Sequence, residues 1–378
     1  EGVMGFYDGV GGISTRASAY DLADTTDTPV ILIVNSRGMS ISLAAYIKGF
    51  LEYKKNSHIK GVIFNQMSPM LYPRMKKLVE EQLGVEVLGY VPKVEDCVIE
   101  SRHLGLVLPE EIVDLKERLQ KLAGVLEDTL EIGRILALAE NAPDLNVPGS
   151  LSQKNPAFDF CLPQKLRIGM AKDEAFCFYY EDNFRLLQEM GAELVEFSPV
   201  HDAHLPKDLD GILLYGGYPE LNGEALERNE SMKTEIAQAI NSGMPCMAEC
   251  GGFMYLHEQM EDMDGISRKT CGVIPGKCFR TPKLTRFGYI TLTAGQSVFG
   301  QKAEEIGEIP AHEFHYFDSE NCGNDFYAAK PLSKRGWDCI HSTDSLLAGY
   351  PHLYYYGNPG IPRAFLLKCM EYHKTGRI

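Results

Sequence analysis

The sequence predicts an α/β protein of two domains, each a mainly parallel sheet flanked by helices. Three observations carry this. Short apolar runs alternate with amphipathic helical stretches between residue 29 and about residue 111. The same alternation restarts at Lys165. Between the two blocks, 141–164 is rich in Pro, Asn, Ser and Asp and reads as a linker. Strand and helix alternating over short links imply βαβ units, because parallel strands need crossovers.

In the first block, PVILIV (29–34), GVIFN (61–65) and VEVLGYVP (85–92) are short buried strand candidates. SISLAAYIKGFLEY (40–53) and YPRMKKLVEEQLG (72–84) have helical periodicity, the second closed by Gly84. A further helical stretch, roughly 109–140, carries Leu115, Leu119 and Leu122 at helical spacing. In the second block, LRIGMA (166–171), DGILLYGG (210–217) and MPCMAECGG (244–252) are strands, the last two running into glycine turns. NFRLLQEMGAELVEF (183–197) is a helix followed by a strand, and MKTEIAQAINSG (232–243) is a helix ended by Gly.

Composition narrows the function classes. The chain has 378 residues, 44% hydrophobic and 24% charged, which suits a globular enzyme with more than one core. A net charge of −15 argues against nucleic acid and anionic membranes as partners and fits a cytoplasmic protein. The ten cysteines include no CxxC pair and no His/Cys cluster at zinc spacing, so they read as reduced thiols. No apolar run reaches the ~20 residues of a membrane helix, and no signal peptide is visible. The first residue is Glu1, and a motif begins at once, so the chain reads as lacking its natural N-terminus.

The segment PCMAECGGFMYLHEQM is the most informative. An apolar strand ends at Cys250, then Gly251 and Gly252 open a helical stretch: the strand–turn–helix layout of a nucleophile elbow. Ala248 and Gly252 supply the small flanking residues such a turn needs, and the helix N-terminus is expected to favour the thiolate. The plainer alternative is a strand-end cysteine before a turn. Cys246, inside the strand, reads as buried and inert. LLYGGYPE (213–220) places Gly216 and Gly217 after a strand, where their amides are natural oxyanion donors, Gly251 being a third. For the base, His312, His315 and His352 are all candidates, and each is equally readable as a structural histidine.

Taken together these residues resemble a known family. MAECGGFMYL is similar to the nucleophile motif of class I glutamine amidotransferases of the cobyrinic/cobyric acid synthase group. YGGYPE resembles their oxyanion strand, and AHEFHY and GYPHLYYY resemble two later motifs. The N-terminal EGVMGFYDG, VNSRGMSISLAAYIKGF, GVIFNQ and ESRHLGLVLPEE continue the resemblance in order, and EGVMGFYDG with RHLGL favours the cobyrinic acid a,c-diamide synthases.

The resemblance implies Cys250 as nucleophile and His352 as base. Many class I amidotransferases carry a Glu two residues after that His. Here the position is Tyr354, so the third member stays unassigned, with Glu313 as a guess. It also implies a dethiobiotin-synthetase-like, P-loop N-terminal domain using ATP and Mg²⁺. No GxxxxGK[ST] occurs in residues 1–378, and the resemblance places that loop upstream of EGVMG, so weak ATP binding is expected. By the same carry-over, Glu1 helps hold Mg²⁺ and Asn65 contacts adenine. Tyr7, Asp8, Arg102 and His103 are candidates for holding a tetrapyrrole polycarboxylate.

The expected domains are 1–125 (amidoligase, lacking its phosphate-loop segment), 126–164 (helical connection and linker) and 165–378 (glutamine amidotransferase). The function implied is ATP- and glutamine-dependent amidation of the a and c carboxylates of cobyrinic acid. The same motifs also serve amidation of nickel-sirohydrochlorin for coenzyme F430, and a partial subunit needing a separate ATP-binding chain is the other alternative. A homodimer is left open.

Overall fold

The computed structural model describes residues 4–99, 101–102, 105–145 and 156–375, with only the backbone at residues 101, 102, 106 and 110. The chain divides into two compact units, 1–148 and 149–378.

The first unit is built on three parallel strands in sequence order, Val30–Asn35, Ile59–Asn65 and Glu86–Val91. The central strand is buried along nearly its whole length, as a strand with helices on both faces must be. Leu43 and Ile47 on the helix Ser42–Glu52, and Met75 and Val79 on Tyr72–Leu83, sit one turn apart and fill that core. Gly84 ends the second helix in the left-handed conformation, φ 64°, which a residue without Cβ adopts freely. Register pairs Asn35 with Asn65, so two strands finish level at one polar edge.

The helices Leu115–Thr129 and Ile132–Glu140 also belong to this unit, which moves the expected 1–125 boundary. Glu131 N donates to Leu88 O at 2.8 Å, and Arg134 grips Glu86 through two hydrogen bonds. Gly89 lies so close beneath Thr129 that a Cβ there would stand 2.3 Å from its carbonyl oxygen. The division falls within the Pro/Asn/Ser/Asp-rich stretch, but that stretch is not linker throughout. Leu162 is buried in the core of the second unit.

The second unit centres on a six-stranded sheet in the order His341–Ser342, Leu346–Gly349, Cys246–Glu249, Gly211–Leu214, Leu166–Ala171, Ala192–Phe197. All neighbours are parallel except the first pair. Alternate residues of the strand Cys246–Glu249 enter opposite cores. Met247 joins Leu213 and Ile168, whereas Cys246 and Ala248 join Ile212 and Leu214.

Two further sheets depart from the mainly parallel expectation. A five-stranded antiparallel sheet runs Gly336–Cys339, Phe326–Ala329, Arg286–Ala294, Ile309–His315, His352–Leu353. A four-stranded mixed sheet joins Ser267–Lys269, His257–Glu261, Ile274–Arg280 and Phe317–Ser319. Ile309–His315 alternates buried with less buried residues, as a strand covered mainly on one face does.

Candidate active site

Cys250 sits between the strand Cys246–Glu249 and the helix Gly251–Tyr255, with φ 47° and ψ −104°. A non-glycine residue held there stores on the order of 1–3 kcal/mol of strain. The surroundings hold it in place. Cys250 N donates to Gly349 O at 2.8 Å, Gly252 N donates to Tyr215 O at 3.0 Å, and Met254 N donates back to Cys250 O at 2.9 Å.

The glycines are there because backbones converge on the thiol. A Cβ on Gly252 would lie 2.1 Å from Leu214 O, and one on Gly217 would lie 2.1 Å from Ala175 O. A Cβ on Gly251 would meet Pro219 Cδ at 2.9 Å and Gly217 N at 3.0 Å, which puts the Gly217 amide beside the nucleophile turn. A Cβ on Gly216 would fall 2.6 Å from His352 Cε1 and 3.3 Å from Cys250 Cβ. The imidazole and the nucleophile therefore close on the same point, and Gly216 leaves it empty.

His352 reaches this point by tertiary structure alone. Its short strand pairs antiparallel with Ile309–His315, directly opposite His312, and the two rings stack at 4.9 Å and 16°. Upstream, Gly349 lies beside Glu249 in parallel register. His352 is buried, and burial, with His312 and His315 nearby, pushes its pKa down to about 3. Its Nδ1 faces Glu249 Oε2 at 3.7 Å. Burial pushes the Glu249 carboxyl up to about 8, partly offset by a hydrogen bond from the Leu353 amide.

The thiol corrects one expectation. Burial first, then the carboxylate of Glu220, pushes the Cys250 pKa up, while the Gly251 amide pulls the other way. The helix that follows is only five residues long, so its terminus does not outweigh desolvation. Burial thus favours the neutral thiol at Cys250 and the neutral ring at His352.

Glu313 is also corrected. It does not pair with His352: its carboxylate lies 3.5 Å from both Arg286 and His315 and accepts from Trp337 Nε1 at 3.4 Å. His315 stacks on Tyr350 at 3.9 Å and contacts Phe317 O through Nδ1. Tyr354 turns outward, its hydroxyl donating to Asp182 Oδ2. Cys246 is fully buried.

In the first unit, Asn65 closes the central strand, and its carbonyl accepts from Ser36 N and Oγ at 2.8 and 2.6 Å. Tyr7 donates its hydroxyl to Phe50 O at 2.6 Å and packs among Phe6, Tyr20, Phe50 and Tyr53; burial pushes it up to about 12. Asp8 is exposed. Arg102 is described by its backbone only, and Glu1 and His103 lie outside the described residues. Sequence reading passed over Glu249 and Glu220. The available signal was an acid at the end of an otherwise apolar strand.

A strained cysteine at a strand end, an imidazole converging on the same point from a distant strand and glycine backbones closing round both fit the glutamine amidotransferase class on an α/β sheet. A family model described as a CobB/CobQ-like glutamine amidotransferase domain matches residues 167–359, and one for an AAA domain matches 2–101. The chain is 35% identical to a cobyrinate a,c-diamide synthase of Caldanaerobacter subterraneus, over 98% of this chain and 80% of that protein. It is 37% identical to one from Dehalococcoides mccartyi, over 97% and 79%, and 34% identical to one from Priestia megaterium, over 100% and 80%. The chain belongs to the cobyrinate a,c-diamide synthase family.

Proposed function

We propose that this chain forms the a and c amides of cobyrinate, with nitrogen from glutamine and ATP as the activator. The class of reaction is glutamine-dependent amide formation in cobalamin biosynthesis. The observation that carries the reading is the strained Cys250 meeting His352 across the gap left by Gly216.

Glutamine enters with its side-chain amide against the thiol. Cys250 Sγ attacks the amide carbon as His352 takes the thiol proton, a transfer concerted with attack because the resting thiol is neutral. The amides of Gly217 and Gly251 hold the oxyanion, and Gly216 keeps its space open. His352 then gives the proton to departing ammonia, and water releases glutamate from the thioester. A neutral thiol has a physical merit here: it is a poor target for oxidants until substrate arrives.

ATP, when bound, supplies the activation without which a carboxylate at neutral pH does not accept ammonia. The polar edge where Asn35 and Asn65 finish level fits a nucleotide, because the carboxyl ends of parallel strands are where such sheets take ligands. Asn65 contacts the base in this reading. Among the described residues no group of three or more His, Cys, Asp or Glu is placed to hold a metal. Mg²⁺ would fall to Glu1, outside those residues. Tyr7, Asp8, Arg102 and His103 are the substrate candidates. Among the described residues no helix is long and apolar enough to cross a membrane; a cytoplasmic location is part of the same reading.

The test has two arms. Glutamine hydrolysis by the chain should fall at least about 10³-fold in Cys250→Ala; equal rates refute the site. A panel of cobyrinate and nickel-sirohydrochlorin with ATP and glutamine, read by product mass, should show two amidations of cobyrinate, slow and needing high ATP because weak ATP binding is expected of residues 1–378. Turnover of the nickel compound alone refutes the substrate.

A further inference from the structure

We propose that Glu249 is the positioning residue for His352, supplied from the nucleophile strand in place of an acid beyond the histidine. This rests on the reading of Cys250 and His352 as nucleophile and base. Tyr354 occupies the position two residues after the histidine, is 41% exposed and gives its hydroxyl to Asp182. Glu313 is committed to Arg286, His315 and Trp337. Glu249 faces the ring itself, Oε2 to Nδ1 at 3.7 Å, with both side chains buried.

The geometry fixes which nitrogen does what. Nδ1 is turned to Glu249, so in this proposal Nε2, the other ring nitrogen, serves the thiol. The segment that carries His352 also holds the carboxyl, because the Leu353 amide donates to it. Parallel register between Gly349 and Glu249 anchors the same segment from the other end. Glu249 Oε1 is buried with no hydrogen-bond partner. Native proteins keep few such atoms, and one beside a base is explained by a partner acquired during turnover.

The proton count requires this arrangement. Attack breaks the S–H bond, and the proton goes to Nε2, so Nε2 must be bare and the ring's own proton must sit on Nδ1. A carboxylate facing Nδ1–H selects that tautomer and stabilises the imidazolium that forms. A separation of 3.7 Å is longer than a hydrogen bond, and such contacts tighten when substrate is bound.

Burial raises the carboxyl to about 8 and lowers the imidazole to about 3, so at neutral pH the pair holds one proton too many. It must lose that proton before Nε2 accepts from the thiol, and the apparent value belongs to the pair. The other groups around Glu249 are Tyr180, Tyr215 and Tyr355, all held above the usual phenol range, together with the Cys250 thiol, also pushed up. His312 and His315 face His352, and Glu220 faces the thiol.

The experiment is glutamine hydrolysis by the full chain between about pH 5.5 and 9.5, in wild type, Glu249→Gln and Cys250→Ala. The wild type should show an acid limb near pH 8. In Glu249→Gln, kcat at the wild-type optimum should drop about 10–100-fold with KM within about threefold. The acid limb should vanish, because an amide does not titrate. Scaled profiles that superimpose, or a loss confined to KM, overturn the proposal. Loss of activity in Cys250→Ala beside wild-type behaviour in Glu249→Gln removes only the role of Glu249; activity in Cys250→Ala removes the underlying reading. If Glu249→Gln fails to fold, imidazole ¹⁵N NMR of the wild type decides. The His352 signal, identified by its loss in His352→Gln, should report a proton on Nδ1 above about pH 8. A proton on Nε2 throughout overturns the proposal.

Discussion

A Cβ added at Gly216 and one added at Gly252 meet different obstacles, and the difference is testable. At Gly216 the nearest obstacle is the far end of a side chain, His352 Cε1 at 2.6 Å, rather than backbone. Gly216→Ala should displace the base and cut glutamine hydrolysis about 10²-fold or more, with a thermal midpoint close to wild type. At Gly252 the obstacle is the Leu214 carbonyl oxygen, 2.1 Å away, and backbone does not yield. Gly252→Ala should cost about 1–3 kcal/mol or more of stability and lower the amount of folded protein. Equal stability of the two variants would contradict the packing described. At this scale the crowding of Gly216, Gly217 and Gly251 around Cys250 was legible, because an elbow demands small residues at fixed offsets; their catalytic roles belong to the proposal. Glu249 was not legible, because the chemistry of an acid at a strand end depends on what the fold places opposite it.

The element that carries the base has its own signature in pH. Burial holds His352 well below the usual histidine range, so the unfolded chain takes up a proton there that the folded chain refuses. Its contribution to stability is complete above about pH 6.5 and is lost as the pH falls toward 3. Glu249 works in the opposite sense: raised to about 8, it favours the fold below the ordinary carboxyl range and loses that contribution as the pH rises through 8. Because Glu249 titrates together with the ring, Glu249→Gln compared with Glu249→Gln/His352→Asn isolates the histidine. The stability of the single variant relative to the double should fall between pH 6.5 and 4, read by thermal or urea melts. A constant difference would mean that His352 is not buried neutral.

A second element-scale test concerns the helices Leu115–Thr129 and Ile132–Glu140. Gly89 has φ 131°, and a Cβ there would strike Thr129 O at 2.3 Å. Gly89→Ala should destabilise the first unit by at least about 1–3 kcal/mol, leaving glutamine hydrolysis nearly unchanged. Neither the bridge from Gly89 to Leu130 nor the hold of Arg134 on Glu86 was visible in sequence. Helical periodicity marked these helices but not the sheet they dock on, so they were assigned partly to the linker.

At the scale of the whole molecule, the proposed function has the second unit, matched by the glutamine amidotransferase model, liberate ammonia and the first serve the chemistry that consumes it. Removal of the thiol should therefore silence glutamine and spare ammonia. With ammonium salt replacing glutamine, Cys250→Ala should retain ATP-dependent amide formation, with the ammonium-supported rate rising with pH as free ammonia increases. Loss of both activities would mean that the thiol also serves the amidation step.

The sequence by itself determined the two α/β blocks, the strands that end at Cys250 and Gly216, and the set of motifs that define the family. Those signals are local: periodicity, a turn that only glycine permits, a small residue at a fixed offset. The residues alone left 312, 315 and 352 open and the family resemblance pointed to 352; tertiary structure shows how that residue comes to share the gap with Cys250. It also decided that the acid facing that ring comes from position 249 and that burial favours the protonated thiol. Each of these depends on register between distant strands and on how much water is excluded, and neither quantity is written in any short stretch of chain.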